Sequence, residues 1–290
     1  MKKLGLALGG GGLKGLAHIG ILQVLEDNDI PIAMLSGTSA GSIAAALYAS
    51  GISAYIMEEI VLKLNPYKYL DYNISGLTKY FLSLFIPGVS YNLDGIIKGN
   101  RVEKLIYQLT RGKRLRDSKI PLAIIACDID SGREVVFSSK RLANKEHKML
   151  VIEEAFMSQA VRASIAIPAA FVPAHLQGMQ LVDGGVRSMV PIMIQKYMGA
   201  EYILAINLGE DIYQQKVNGI IEIADRTLNI LTYETSAMDQ QLYADMVIYP
   251  QVGEVKLEDW DNAADIIRVG RRVMKNRIDK LKRDLLDIVL

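Results

Sequence analysis

Three groups of residues have the types and spacing for chemistry. The first is Gly37-Thr38-Ser39-Ala40-Gly41, a G-x-S-x-G turn between the apolar run Ile32 to Leu35 and the helix-forming run Ile43 to Ala49. A serine on such an elbow is lifted out of the sheet plane, and flanking glycines let strand and helix pass close together. The N-terminus of the following helix favours the negative charge that develops when the hydroxyl attacks a carbonyl. The second group is Gly9-Gly10-Gly11-Gly12-Leu13-Lys14-Gly15, whose four glycines leave their amides unshielded at the start of another helix. Such a nest holds an anion. The third is Asp183-Gly184-Gly185, an aspartate at the end of the apolar stretch that runs to Val182.

Two anions suit the nest: a nucleotide phosphate or the oxyanion of a tetrahedral intermediate. Gly10 to Gly15 also matches G-x-G-x-x-G, but a dinucleotide site wants an acidic residue about twenty positions on. Pro31 to Leu35 has none, and Lys14-Gly15 reverses the Gly-Lys order of a P-loop. With a nucleophile elbow next along the sheet, the oxyanion is favoured, held by amides of Gly10, Gly11 and Gly12. One such donor is typically worth about 3 kcal/mol of barrier. A nucleotide-binding or regulatory protein is the alternative from another class.

A serine nucleophile needs a base within hydrogen-bond reach. The candidates include three histidines: His18 in the first helix, His147 in a charged stretch, and His175 near the turn Gln177-Gly178. None follows an acidic residue late in the chain, as an α/β-hydrolase triad requires. Asp183 is the better candidate, because a poorly solvated carboxylate at a strand end has a raised pKa and takes a proton directly. Taken singly, the Asp-Gly pair also fits a plain turn and the serine elbow a plain packing turn. Cys127 lies in an apolar run and reads as a buried, inert thiol.

Together and in this order, Gly10 to Gly15, Gly37 to Gly41 and Asp183 to Gly185 resemble the patatin-like phospholipase family. Leu16-Ala17-His18-Ile19-Gly20, Arg162-Ala163-Ser164 and Pro168 are also similar to family sequence, over about Leu4 to Gly209. The resemblance implies a serine lipid acyl hydrolase with no cofactor or metal. Ser39 is then the nucleophile, Asp183 the proton acceptor without histidine, and the glycine-rich loop the oxyanion hole. Lys14, Gly15, Gly37, Gly41, Gly184 and Gly185 are supporting motif positions, and His18 is structural. Acyl transfer to an alcohol on the same dyad is a further alternative. Many bacterial relatives have two asparagines before the Val-Pro that follows the Asp-Gly-Gly motif; here the chain reads Arg187-Ser188-Met189-Val190-Pro191.

The elements that must position these groups are legible in outline. Leu4 to Leu8 reads as a buried strand, the stripe Leu16, Ile19, Leu22, Val24 and Leu25 as a helix, and Ile32 to Leu35 as a second strand. That is a right-handed βαβ unit with parallel strands, so the glycine loop and the elbow open onto one crevice. Strands Ile120 to Ala126, Glu134 to Phe137, Tyr202 to Asn207 and Met246 to Tyr249 alternate with helices at Glu58 to Leu64, Ile96 to Leu109, Val151 to Ala163, Ile192 to Met198 and Ile220 to Met238. The expected fold class is α/β: a three-layer α/β/α sandwich with a mostly parallel central sheet. A catalytic domain is expected over 4–209, with the Tyr/Phe-rich 63–98 as a lid or a packed insert. Residues 210–290 form a mainly helical extension on the same domain. From Ala263, Ile267, Met274, Ile278, Leu281 and Leu285 share one helical face. Arg268, Arg271, Arg272, Lys275, Lys280, Lys282 and Arg283 share another, either solvated or laid on an anionic membrane.

Composition bounds the rest. A chain of 290 residues, half of them hydrophobic, can bury one large core. A net charge of +1 gives no footprint for nucleic acid. The uncharged span Ile30 to Met57 is long enough for a bilayer, but Pro31 and the elbow cut it. The charged start and short apolar run at Met1 to Leu8 are broken too early, by Gly9 to Gly12, for a signal peptide. The expectation is therefore a cytosolic protein acting on a lipid or other acyl ester, with peripheral contact at the inner membrane face and a homo-oligomer both left open.

Overall fold

Leu4, Leu6 and Leu8 of the first strand enter one hydrophobic core, while Ala7 enters another. This alternation is what a strand covered by helices on both faces requires. The computed structural model describes residues 1–83, 86, 90–142, 149–209, 213, 216–253 and 255–286. In its first half the elements are β1 (Leu4–Leu8), α1 (Ala17–Asp27), β2 (Ile32–Thr38), α2 (Ala40–Ala49), α3 (Ala54–Lys63), α4 (Ile74–Ser83), α5 (Asn100–Leu109), β3 (Leu122–Asp128) and β4 (Arg133–Ser138). They continue with β5 (Met149–Ile152), α6 (Met157–Ser164), β6 (Ala174–Leu176), β7 (Met179–Asp183), α7 (Ile192–Met198), β8 (Tyr202–Ile206), α8 (Gly219–Tyr243), β9 (Met246–Ile248), α9 (Ala263–Lys275) and α10 (Ile278–Leu286). The α/β class and the mostly parallel sheet flanked by helices are as the sequence indicates.

The central path of the sheet runs β5-β4-β3-β2-β1-β8-β9, with β7 paired to β3 and β6 to β7. β1 is parallel to both β2 and β8, so their C-terminal ends share one edge. β3 is bordered unusually. β4 occupies one of its edges over residues 123–128. The other edge is divided: parallel β2 covers it up to the pair Thr38–Ile125, and antiparallel β7 takes over at the pair Asp183–Ala126. β2 and β7 therefore meet C-terminus to C-terminus against consecutive residues of β3.

Three local expectations are revised. Met149 to Ile152 is a strand and not the start of a helix, because Val151 pairs with Val136 on β4. The helix begins only at Met157, after Phe156, whose N–H donates to the Gln159 side chain. α5 starts at Asn100 instead of Ile96, because Gly99 is left-handed and the Asp71 carboxylate accepts from the N–H groups of Gly99, Asn100 and Arg101. The C-terminal helix is two helices, α9 and α10. Their apolar face is buried as the pattern indicates, but the basic face is not all solvated. Arg271 donates to Glu58 at 2.9 Å and to the Gln23 side chain, and Lys282 donates to Asn28 at 2.8 Å.

α9 crosses α1 at a pair of glycines. A Cβ on Gly20 would lie 2.0 Å from the Ile267 carbonyl oxygen, and one on Gly270 2.0 Å from that of Ala17. Both obstacles are backbone, so neither can step aside. Gly270→Ala is therefore expected to cost about 2 kcal/mol or more of unfolding free energy. Arg272→Ala, on the exposed side of the same helix, should change it by less than about 0.5 kcal/mol. Urea denaturation of the two variants checks the difference.

Candidate active site

β2 ends at Thr38 and α2 begins at Ala40, so the whole reversal falls on Ser39, with φ 52° and ψ −124°. This is a costly conformation for a residue with a side chain, and hydrogen bonds hold it. The Ser39 N–H donates to Ser164 Oγ at 2.9 Å, and the Ser39 carbonyl accepts from Ser42 N–H and Oγ at 2.8 and 2.6 Å. The turn is also tight. A Cβ at Gly37 would lie 2.4 Å from the Gly41 oxygen, and one at Gly41 2.1 Å from that of Leu8.

Asp183 arrives from the opposite direction along the shared edge of β3. Its N–H donates to the Ala166 carbonyl at 2.9 Å, and its Oδ1 accepts from the Gly185 N–H at 2.7 Å. The C-terminal end of α6 thus grips both groups, Ser39 through Ser164 and Asp183 through Ala166. Nothing in the residue types announced this. Ser164 stood in the family-like Arg162-Ala163-Ser164, but its partner is 125 residues away.

The glycine loop is set from below by His18. Its Nε2 lies 2.8 Å from the Gly9 carbonyl oxygen, an acceptor only, so Nε2 carries the proton and donates. Burial pushes the imidazole pKa down to about 4, so the ring is neutral near pH 7. The Gly10 N–H donates to the Met189 carbonyl at 3.0 Å, which takes it out of the expected trio of oxyanion donors. The N–H groups of Gly11 and Gly12 take no acceptor from the described residues, and neither does that of Ala40, the first residue of α2. Gly15 makes room for this helix start, since a Cβ there would lie 2.4 Å from Ala40 Cβ. The stretch after Gly185 braces both motifs. Thr38 Oγ1 donates to Ser188 O at 2.8 Å and Ser36 Oγ to Pro191 O at 3.0 Å. These are main-chain acceptors, which Arg187-Ser188-Met189 supplies as well as any other residues would.

Gly10, Gly11, Gly12, Lys14, Gly15, Ser39, Asp183 and Gly185 all line one cavity of about 670 Å³. Its wall from α2, α3 and α5 is apolar, with Ile43, Leu47, Val61, Leu105 and Leu109. Its wall from α8 and the flanking segments is mixed, with Lys216, Glu222, Arg226, Asn229 and Lys256 beside Val217, Leu228, Tyr233, Val255 and Trp260. A hydroxyl, a carboxylate and open amides beside an apolar wall suit an ester with a hydrocarbon chain. His175 is exposed on β6 and does not line the cavity. His147 lies outside the described residues. Cys127 is buried, and desolvation pushes its pKa up to about 11, so it stays a thiol. Among the described residues no three His, Cys, Asp or Glu side chains come together as metal ligands would.

The chain matches the family model of the patatin-like phospholipases over residues 6–194. It is 29% identical to lysophospholipase NTE1 of Debaryomyces hansenii over 208 residues, which are 72% of this chain and 12% of that protein. It is 26% identical to lysophospholipase NTE1 of Yarrowia lipolytica, over 97% of this chain and 20% of that protein. The chain therefore spans a fifth or less of the length of these relatives. Its fold is similar to that of VipD from Legionella pneumophila, with a TM-score of 0.55 at 15% identity, over 96% of this chain and 67% of that one.

The buried imidazole makes stability depend on pH. Below 6.5 the unfolded chain binds a proton that the folded chain refuses until about 4. The folded state keeps this contribution above that window and loses it as pH falls through it, by about 3 kcal/mol in all. His18→Gln, which retains a donor for Gly9, should remove that part of the slope. Urea midpoints at pH 7, 5.5 and 4.5 check it, and an equal slope in both proteins would count against it.

Proposed function

The chain belongs to the patatin-like phospholipase family, and from that premise we propose that it hydrolyses fatty-acyl esters of lipids with Ser39 as nucleophile and Asp183 as proton acceptor. The observation that carries the reading is the head-on meeting of β2 and β7, with both residues on the cavity that holds the glycine loop. Ser39 Oγ attacks the ester carbonyl carbon, and its proton passes to the Asp183 carboxylate. The N–H groups of Gly11, Gly12 and Ala40 receive the oxyanion, aided by the N-terminus of α2. The carbon–oxygen bond to the alcohol then breaks, and Asp183 returns the proton to the leaving oxygen. Water attacks the acyl carbonyl carbon and gives its proton to Asp183; the carbon–Oγ bond then breaks, Asp183 returns the proton to Ser39 Oγ, and the fatty acid departs. The apolar wall takes the hydrocarbon chain. A substrate of this kind resides in lipid, so the protein works in peripheral contact with a membrane. No described helix is long and apolar enough to cross one.

Ser39→Ala and Asp183→Asn are each expected to lower kcat/KM on a phospholipid and on p-nitrophenyl butyrate by about a thousandfold or more. Asp183→Asn keeps the acceptor for the Gly185 N–H, so its loss reads the proton transfer and not the fold. A fluorophosphonate should label the wild-type chain on Ser39. Undiminished ester cleavage by Ser39→Ala would sink the assignment.

A further inference from the structure

A surface helix ordinarily turns its apolar side inward. The first half of α8 does otherwise. Glu222, Arg226 and Asn229 line the cavity, whereas Ile220 and Leu231, about half a turn away around the helix, are exposed. Charged side chains on a cavity wall suit an ionic occupant, since an apolar one would strip their water and return nothing. The charge balance gives its sign. The ionised side chains on the wall are Lys14, Lys216, Arg226 and Lys256 against Asp183 and Glu222, and Asp183 is assigned to proton transfer. Lys216, Arg226 and Lys256 all lie beyond residue 194, where the match to the family model ends.

These three cations gather around the N-terminal end of α8. Glu222 accepts from Lys256 at 2.7 Å, and Arg226 follows one turn later on the same face. Lys216 stands just before the helix and has no ion-pair partner among the described residues. The Arg226 guanidinium lies 3.8 Å from the centroid of the Tyr213 ring. Stacking fixes its plane, and a planar fork so held matches two oxygens of one phosphate. Lys216 and Lys256 are exposed, so this end of the cavity opens to solvent. Packing sets its distance from the oxyanion loop. A Cβ on Gly11 would lie 2.7 Å from Leu208, and one on Gly209 2.9 Å from Tyr233. Arg226 precedes Tyr233 by two turns, about 10 Å along the axis. A glycerol backbone and the long Arg and Lys side chains close that interval between them. We propose that Lys216, Arg226 and Lys256 form a subsite for the phosphate of a lipid head group, and so select phosphate-bearing acyl esters over neutral acylglycerols. This rests on the hydrolase reading and adds specificity residues to it. The acyl chain lies along the apolar wall, the ester at Ser39 and the phosphate at the solvent-facing cations, while Glu222 orients Lys256.

The test uses the full chain and two single-chain amphiphiles that carry no ester, dodecyl phosphate and dodecyl maltoside. Binding of each below its critical micelle concentration is measured by titration calorimetry. The phosphate should bind about tenfold or more tightly than the maltoside, and the advantage should shrink with salt. Lys216→Gln with Arg226→Gln should remove most of that preference. Arg226→Lys, which keeps the charge but not the fork, should retain part of it. Inorganic phosphate should bind far more weakly than dodecyl phosphate. In turnover, the ratio of kcat/KM for oleoyl lysophosphatidic acid to that for monooleoylglycerol should fall about tenfold in the double variant. A preference that the double change leaves intact overturns the proposal. So does inorganic phosphate binding as tightly as dodecyl phosphate, for then free phosphate is the ligand. A variant that had lost its fold would lose both amphiphiles, and the single change Lys216→Gln, at an exposed side chain, then carries the comparison. Failure of the hydrolase reading is seen separately, as ester cleavage that Ser39→Ala does not diminish, whereas the binding comparison needs no turnover.

Discussion

One edge of one strand cannot pair with two neighbours over the same residues. β4 fills one side of β3, so β2 and β7 must divide the other between them, and they do so from opposite directions. The junction falls between Ile125 and Ala126. The residue after the last β2 pair is Ser39, and the last residue of β7 is Asp183. Gly184 completes the junction, since a Cβ there would lie 2.2 Å from the Ile125 carbonyl oxygen. Hydroxyl and carboxylate are thus brought to one place by main-chain pairing, before any side chain contributes.

The same economy holds for the surrounding shell. Gly9 O, Ser39 O, Ala166 O, Ser188 O, Met189 O and Pro191 O are main-chain acceptors that fix the loop, the elbow and the aspartate. Side chains enter as donors at His18, Ser36, Thr38 and Ser42, and as acceptors at Ser164 and in Asp183 itself. A site built in this way tolerates change wherever only the backbone is used. It resists change where a glycine admits a close approach.

Much of this arrangement is legible in the residues. The first βαβ unit, the glycine elbow and the Asp-Gly-Gly strand end each carry a local signature, and the apolar stripes of α1 and α9 mark their buried faces. What escaped has physical causes. The stretch Met149 to Ile152 is apolar at a spacing that serves strand or helix, and only the vacant edge of β4 decides. Ser164 and the carbonyl of Met189 act across more than a hundred residues, with no local pattern to betray them. The commitment of the Gly10 amide is of this kind, because four consecutive glycines look alike until the loop has a shape. For α8 the helical period is correct, but period alone does not say which side faces the protein.

The crossing of α9 on α1 has a consequence for when the site takes form. Every motif residue has been made by residue 185, yet the helix on which α1 is seated begins only at Ala263. α1 carries His18, and His18 sets the glycine loop. During synthesis, then, the nascent polypeptide holds the nucleophile, the carboxylate and the loop well before it holds the buttress beneath them. The ribosome delivers the foundation after the parts that rest on it.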